Sequence, residues 1–514
     1  MATVIREPFV DLSIVSGITT IQNTEQRILV VGQKTSAGSA TSGALVTDIQ
    51  NDNSWDTLFG ASSQLANMCR NVRRYNTKTR MDAISLSDNG SGTAAQYTVT
   101  FTGTATEGGE LSVSMGSPDH TYTLVVTSGD TVSTLATNLA ALITADTKVP
   151  YTAAAALGVM TATFVHKGNA GDASGVAVSG TVAGVSYAVA QSVAGAGDPT
   201  LTTLFDVIDD MRYQTIVWPW TADISTVKNF LDARFNVSNI VLDGVAVMTL
   251  VDTYANISSA VSALNSQSLC VIANELVSAS TQYGGAILEY PWAIAAQVAG
   301  IRGLRLTDGS NISRFVISRD GSLDRFGGMA IASLPYFNTP VPDLPLMGVS
   351  YGFTADEVDD LQDDGASNIG NNSGGTEVIM GEMVTTYKTD AASNPDVTFK
   401  NLEYVDTSSV IREFYFNNLR ARFSQHRLTE GSLIAGRAMA NGALIEAYCT
   451  ELYQRLANLA LVQDGEAALR YYKQNLVVTL DLATGTATIT QKMPIVTQLR
   501  RIIGTIEISF TTEG

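Results

Sequence analysis

Cysteine and histidine are scarce, three of each in 514 residues. Cys69, Cys270 and Cys449 are far apart and sit among apolar neighbours, which excludes a disulfide framework and a zinc site and suits a reducing compartment. All three read as core fillers. His-Glu-x-x-His, Cys-x-x-Cys and Gly-x-x-x-x-Gly-Lys-Ser/Thr patterns are missing, so no metal ion or cofactor is expected. Basic residues are also few: 31 Lys and Arg stand against 49 Asp and Glu, a net charge of −18. That balance disfavours nucleic acid as a partner, because a phosphate backbone recruits basic patches. It also makes copies of the chain repel one another, so any assembly needs specific contacts and should respond to salt. No run approaches the roughly 18 apolar residues of a membrane helix, and the N-terminus lacks the basic-then-apolar layout of a secretory signal. A soluble species with no direct membrane insertion is therefore expected.

What is present is a globular composition, 45% hydrophobic, in a chain longer than one core normally supports. Residues 1–24 place Val10, Leu12, Ile14, Ile18 and Ile21 among Ser, Thr and Gly, a strand-like alternation that reads as an N-terminal arm. Strands are expected over 28–32, 81–86, 215–218, 245–251 and 269–273, and helices over 61–74, 201–211, 224–235, 257–264 and 292–301. This alternation predicts an α/β core, a mixed, largely parallel sheet with helices, built from 25–90 and 200–335. Residues 91–199 differ in being rich in Thr, Gly, Ala, Ser and Val. Strands over 97–104, 110–115, 122–126, 160–165 and 176–178, and a helix capped at 129–130, make them an inserted, outward-facing β-rich domain. Residues 336–400 read as a loop-rich connector whose short helix, 355–362, is capped by Thr354 with Glu357 completing a capping box.

The last hundred or so residues predict an α+β C-terminal domain, 401–514, ending in a strand arm. Ile411, Tyr415, Leu419 and Phe423 recur at i+4, as do Leu444, Tyr448, Leu452, Leu456 and Ala460. A hairpin over 476–482 and 486–490 turns at Thr484-Gly485, and 505–510 alternates with Ile506, Ile508 and Phe510 on one face. The runs LIEAYCTELYQRLANLALVQDGEAALRYYKQNLVVTLDLATGTATI and MPIVTQLRRIIGTIEISF resemble the C-terminal domain of contractile-tail sheath proteins of the phage Mu type. WDTLFGASSQLANMCRNVRR (55–74) is similar to that family's early Phe-Gly-x-x-Ser-x-Leu-Ala helix, and residues 381–423 are similar to the segment entering its C-terminal domain. The stretch 437–442 departs from the family's usual short loop.

The resemblance implies a structural subunit, not an enzyme. Hexameric rings would stack around a tail tube and contract to drive the tube through a host envelope, in a virion tail assembled in the host cytoplasm. Expected partners are neighbouring sheath subunits, the tail tube protein, and baseplate and tail terminator proteins. Val10, Leu12, Ile14, Ile18, Ile21, Ile506, Ile508 and Phe510 would form the inter-subunit arm strands. The hairpin residues Val478, Leu480, Leu482 and Ile489 would accept arms by strand addition. The helix bearing Glu446, Glu451 and Arg455 would face the tube. The sheath of a phage-derived bacterial injection machine, a tailocin or secretion system, is the alternative reading.

Two further patterns compete with this. Gly348-Val-Ser-Tyr-Gly352 has the form of a nucleophile elbow around Ser350, but Pro342 and Pro345 precede it where a buried strand is required, and His426 alone follows as a base. The acidic run 356–364 lacks the spacing of a calcium loop and reads as a solvated helix. Trp218-Pro-Trp220 could stack on a ligand or cover a core edge.

Overall fold

In the computed structural model, residues 25–172, 175–235, 237, 240–275, 289–307, 335–347, 352–497 and 499 are described. The N-terminal arm and the strand expected over 505–510 lie outside them. Strand β1 (Arg27–Gln33) is followed by β2 (Leu45–Val46), helices α1 (Asp52–Phe59) and α2 (Gln64–Tyr75), and β3 (Arg80–Leu86). Residues 94–193 follow, and their buried side chains share one apolar cluster with those of β1, α2 and β3. Strands β4 (Ala94–Gly103), β5 (Gly109–Ser114) and β6 (Thr121–Val126), helix α3 (Val132–Ala145), and strands β7 (Tyr151–Ala156), β8 (Val159–Lys167), β9 (Ala177–Ser179) and β10 (Val185–Val193) form two antiparallel sheets, ordered β10-β4-β8-β7 and β6-β5-β9. Leu135, Leu139 and Ile143 of α3 are buried with Val99, Phe101 and Met160 of the larger sheet.

The chain returns through β11 (Thr215–Val217), α4 (Ile224–Arg234), β12 (Val245–Asp252), α5 (Tyr254–Ser262), β13 (Leu269–Glu275) and α6 (Pro291–Thr307). Next come α7 (Ala355–Asp364), β14 (Ala366–Asn371) and β15 (Val378–Met380). One eight-stranded sheet, β15-β14-β13-β12-β11-β1-β3-β2, gathers these strands. It is parallel from β14 to β3, with antiparallel β15 and β2 at its ends. Inner parallel strands bury both faces, which is why β1 reads Ile-Leu-Val-Val without alternation. Ile28 and Val30 pack with α2 and α6 on one side, Leu29 and Val31 with α4 and α5 on the other. The fold is thus mixed α/β around a largely parallel sheet.

Several expectations need correction. No helix forms over 201–211: successive i→i−3 bonds, Leu204 to Leu201, Ile208 to Phe205 and Met211 to Ile208, make a chain of turns. Leu204, Phe205 and Ile208 are nonetheless buried, so the spacing reported burial while Asp206, Asp209 and Asp210 crowd what would be the negative end of a helix dipole. The cap of α3 is Thr131, whose hydroxyl accepts from Thr134 N–H at 3.3 Å; Gly129, at φ 93°, makes the turn before it. Residues 336–400 are less loop-rich than expected. The Thr354–Glu357 capping box opens α7, Gly365 at φ 101° ends it, and the chain runs straight into β14, a sheet strand whose polar sequence takes its form from pairing with buried β13.

The β4–β10 unit and the rest of the fold share an apolar cluster, and polar contacts join it at their junction: Arg74 pairs with Asp119, and Ser117 Oγ donates to Glu289 Oε2 at 3.1 Å. Burial pushes the Glu289 carboxyl up to about 8; nearby Asp119 adds to this, while the Tyr290 N–H, the Ser117 hydroxyl and Arg74 oppose it. Because the folded value lies above the ordinary one, the protonated acid stabilises the junction at low pH, and this contribution is lost as pH rises through about 8. In urea titrations, the wild-type midpoint should fall between about pH 5 and about pH 9, and Glu289→Gln should flatten that fall. A second expectation concerns the crossing of α2 and α6, where a Cβ on Gly300 would come within 2.7 Å of the Val72 carbonyl oxygen. Gly300→Val should cost roughly 1–3 kcal/mol of unfolding free energy by overpacking, more than its few tenths of gained helix propensity returns.

Candidate assembly site

The C-terminal region is organised on one helix, α8 (Leu402–Phe423), followed by β16 (Arg427–Leu428), β17 (Met439–Ala440), α9 (Gly442–Asn458), α10 (Glu466–Gln474), β18 (Val477–Asp481) and β19 (Thr486–Thr490). Helix α8 belongs to two cores. Leu402 and Val405 pack with the sheet and α6, whereas Val410, Ile411, Phe414 and Tyr415 pack with α9 and α10.

Between the two apolar stretches the helix is held by charge. Arg302 of α6 and Asp406, with 4% and 1% of their side chains exposed, pair at 2.5 Å. Tyr336 donates to the other Asp406 oxygen at 2.6 Å, and Arg302 also reaches the Gln214 carbonyl. Burial alone would lower the Arg302 guanidinium; the Asp406 carboxylate outweighs that and holds it above its ordinary value. Burial, reinforced by Asp406, raises the Tyr336 hydroxyl well above the usual tyrosine range. Two turns on, Arg212 pairs with Glu413 at 2.6 Å and donates to Ser409 Oγ at 2.9 Å, while Arg412 pairs with Asp243. None of these residues carries a local sequence signature, because the partners are separated by 70 residues or more; sequence reasoning missed the cluster entirely.

The outer end of this unit is the β18–β19 hairpin. Val478 faces Ile489 and Leu480 faces Ala487 across it, half-buried against the α9–α10 core, while Val477, Thr479 and Asp481 point to solvent. Leu482 does not share the inner face: it lies in the turn and is 49% exposed, because the Asp481 carboxylate accepting from Ala483 N–H takes it out of the strand. Among the described residues no third strand pairs with either outer edge of the hairpin. Glu451 is exposed on α9 and pairs with Arg455 four residues on, whereas Glu446 and Arg455 are half-buried on opposite flanks of the buried stripe, so the three do not share one helix face. The buried stripe of α9 runs through Ile445, Cys449, Leu452 and Leu456: of the expected series Leu452 and Leu456 lie in it, Leu444 and Tyr448 flank it half-buried, and Ala460 is exposed past the helix end. Helix α10 was not anticipated. It contributes Tyr472, stacked on Tyr453 at 4.2 Å, with hydroxyl contacts to Tyr415 and to the Cys449 carbonyl.

The competing chemistry gains nothing here. Ser350 and its neighbours 348–351 lie outside the described residues. Burial pushes the thiols of Cys270 and Cys449 up to about 11, and all three cysteines are buried. Among the described residues no group of His, Cys, Asp and Glu is arranged to hold a metal ion. Trp218 and Trp220 are buried, packed edge to face at 5.1 Å within the core between the sheet and α4.

Breaking the α8 fastening should be costly. Arg302→Met strands the Asp406 carboxylate in the interior and should lower stability by about 3–5 kcal/mol, whereas the double variant Arg302→Met with Asp406→Leu should recover most of that loss. Chemical unfolding of the three variants checks this.

No protein-family model matches the chain. It is 25% identical over 469 residues to the Mu-like prophage FluMu tail sheath protein of Haemophilus influenzae, a match covering 88% of this chain and 87% of that protein. Among solved structures, the sheath tail protein of Desulfitobacterium hafniense matches with 13% identity and a TM-score of 0.44, over 96% of this chain and 100% of that one. The helical sheath of the anti-feeding prophage in its contracted state matches with 11% identity and a TM-score of 0.47, over the whole of both chains. Structural likeness at these scores carries no weight beside the sequence match. Along nearly its full length the chain is thus similar to a contractile tail sheath protein.

Proposed function

We propose that the chain is the structural subunit of a contractile tail sheath, polymerising as stacked hexameric rings around a tail tube and contracting to drive that tube through a host envelope. The observation that carries this reading is the likeness to a tail sheath protein over 469 residues. The geometry supplies a physical route. Among the described residues no further strand pairs with the edges of hairpin β18–β19, and the alternating segments 1–24 and 505–511 would supply strands to complete such edges on adjoining copies.

Four to six main-chain hydrogen bonds per arm, each worth roughly 0.5–1.5 kcal/mol net, make each strand contact worth several kcal/mol. Contacts of that size survive while the bodies they tether rotate, so contraction is a rigid-body repacking whose free energy sums over every subunit.

In this reading residues 25–90 and 200–335 form the sheath core, 91–199 an outward-facing insert, 336–400 the connector, and 401–514 the inner domain, with the helix that bears Glu446, Glu451 and Arg455 toward the tube. Arms would be accepted at Val478, Leu480 and Ile489. The tube, baseplate and tail terminator proteins are the further partners, and the virion tail, assembled in the host cytoplasm, is the location. A sheath of a phage-derived injection machine would use the same contacts.

Deleting residues 1–20 should leave a folded, soluble protein that no longer polymerises. Sedimentation and negative-stain microscopy of full-length and truncated protein check this; normal striated tubes from the truncated chain would remove the arm from the mechanism.

A further inference from the structure

The sheets of this chain treat their edges differently. The eight-stranded sheet ends on strands of two and three residues, β2 and β15, which leave little main chain for an outside strand to pair with. The β10-β4-β8-β7 sheet ends on strands of nine and six residues. Neither of these, Val-Ser-Tyr-Ala-Val-Ala-Gln-Ser-Val in β10 or Tyr-Thr-Ala-Ala-Ala-Ala in β7, contains a charged residue or a proline, the usual guards of an exposed edge. The one guard is a bulge between Gln191 and Val193, at the far end of β10.

The two edges are complementary. All pairings within the sheet are antiparallel, so β10 and β8 run one way and β4 and β7 the other. A copy placed beside the first with the same face outward brings its β10 antiparallel to β7, continuing the alternation. Residue rows also align: Ala154 pairs with Thr161, Thr161 with Thr98 and Thr98 with Ala190, so Ala154 and Ala190 end one row on one face. Three residues along, Leu157 is 95% exposed at φ 51°, a left-handed backbone disfavoured for leucine, at the tip of the β7–β8 turn. Phe101 N–H bonds to the Gly158 carbonyl and Phe101 pairs with Tyr187, which sets Leu157 level with Tyr187. A level neighbour would therefore cover the exposed leucine with its Tyr187. In a chain of net charge −18, these edges are also where two copies meet with no charged side chain on either strand.

We infer that β7 of one copy pairs with β10 of the next, joining the 94–193 units head to tail into a continuous antiparallel ribbon around the assembly. The contact is heterologous, the type that propagates into rings and helices instead of closing as a dimer. It rests on the sheath reading for the repetition of copies. It adds a second seam, independent of the terminal arms.

The test uses full-length chains carrying Ala154→Cys, Ala190→Cys or both, at positions exposed on the folded subunit; Cys69, Cys270 and Cys449 are buried. Polymers are treated with a short, flexible bismaleimide and run on a denaturing gel. The double variant should give a ladder of dimers, trimers and longer species, each single variant only monomers, and an equal mixture of the two single variants dimers alone. Ladder formation lost on dissolving the polymers completes the expected pattern. Dimers from Ala190→Cys alone would mean self-pairing of β10 and would overturn the head-to-tail contact. Polymers that form normally but yield no ladder would also overturn it, leaving the sheath reading intact. Failure of the unsubstituted chain to polymerise would overturn both.

Discussion

The buried pair between Arg302 and Asp406 is the constraint on which the rest of the molecule's organisation depends. Helix α8 passes from the core beneath the parallel sheet into the core of the C-terminal unit, and an apolar helix in that position could slide or rotate between two equally greasy surroundings. A charge pair with almost no exposure cannot do so, because any other register would leave an uncompensated carboxylate in the interior. Buried ion pairs are weak evidence for net stability, but they are effective at choosing one arrangement among several. Arg212 with Glu413 and Arg412 with Asp243 repeat the device further along the same helix, closer to the surface. The sheet and the α9–α10 unit are thereby fixed to each other as one lever.

This fastening was invisible in the sequence, for a definable reason. Local pattern reports local physics: β1 and β12 were legible because inner parallel strands are continuous apolar runs, and the Thr354–Glu357 box because both halves of a cap lie three residues apart. The hairpin β18–β19 was legible from its period of two and the Thr484-Gly485 turn, with Gly485 at φ 68°. Elements decided by distant partners were not. Strand β7, four alanines after Tyr-Thr, reads as helix or nothing, and acquires its form from β8; β14 acquires its form from β13 in the same way. Helix α10 hid because it is short and buries only Tyr472 fully, with Leu469 half-buried beside the C-terminal core. The converse error occurred at 201–211, where burial at helical spacing was real but the hydrogen-bond ladder was not. Of the candidate site, the alternation located the core-facing side of the hairpin at Val478, Leu480 and Ile489, whereas Leu482 was added by extending it one residue past the point where Asp481 turns the chain.

A sleeve that shortens without coming apart has to reconcile strong subunit contacts with large changes in subunit orientation. Side-chain interfaces of the jigsaw kind do this poorly, since packed cores are bistable and do not deform continuously. Main-chain strand pairing at the end of a linker does it well: the contact is local, directional and indifferent to what the tethered body does. On the proposed reading the chain therefore divides its labour. The interior is made rigid by the α8 fastening and by the close α2–α6 crossing at Gly300, and adaptability is confined to segments that act as strands for other copies.

Edge management across the sheets supports the same division. A subunit that must not aggregate before assembly, yet must pair by main chain during it, should close the edges of its rigid body and leave open those at its periphery. The large sheet is closed by β2 and β15, too short to template a partner. The hairpin β18–β19 and the β10-β4-β8-β7 sheet have longer, uncovered edges among the described residues, and neither is hydrogen-bonded into the central sheet as a strand. Net charge completes the scheme. At −18, long-range repulsion keeps free copies apart and falls off beyond roughly 8–10 Å at physiological salt, so encounters must be brought close before strand pairing outweighs it. An uncharged edge lowers the barrier at the contact itself while leaving the rest of the surface repulsive. Such a surface favours growth at chosen seams over indiscriminate association, which is what a polymer of defined architecture requires.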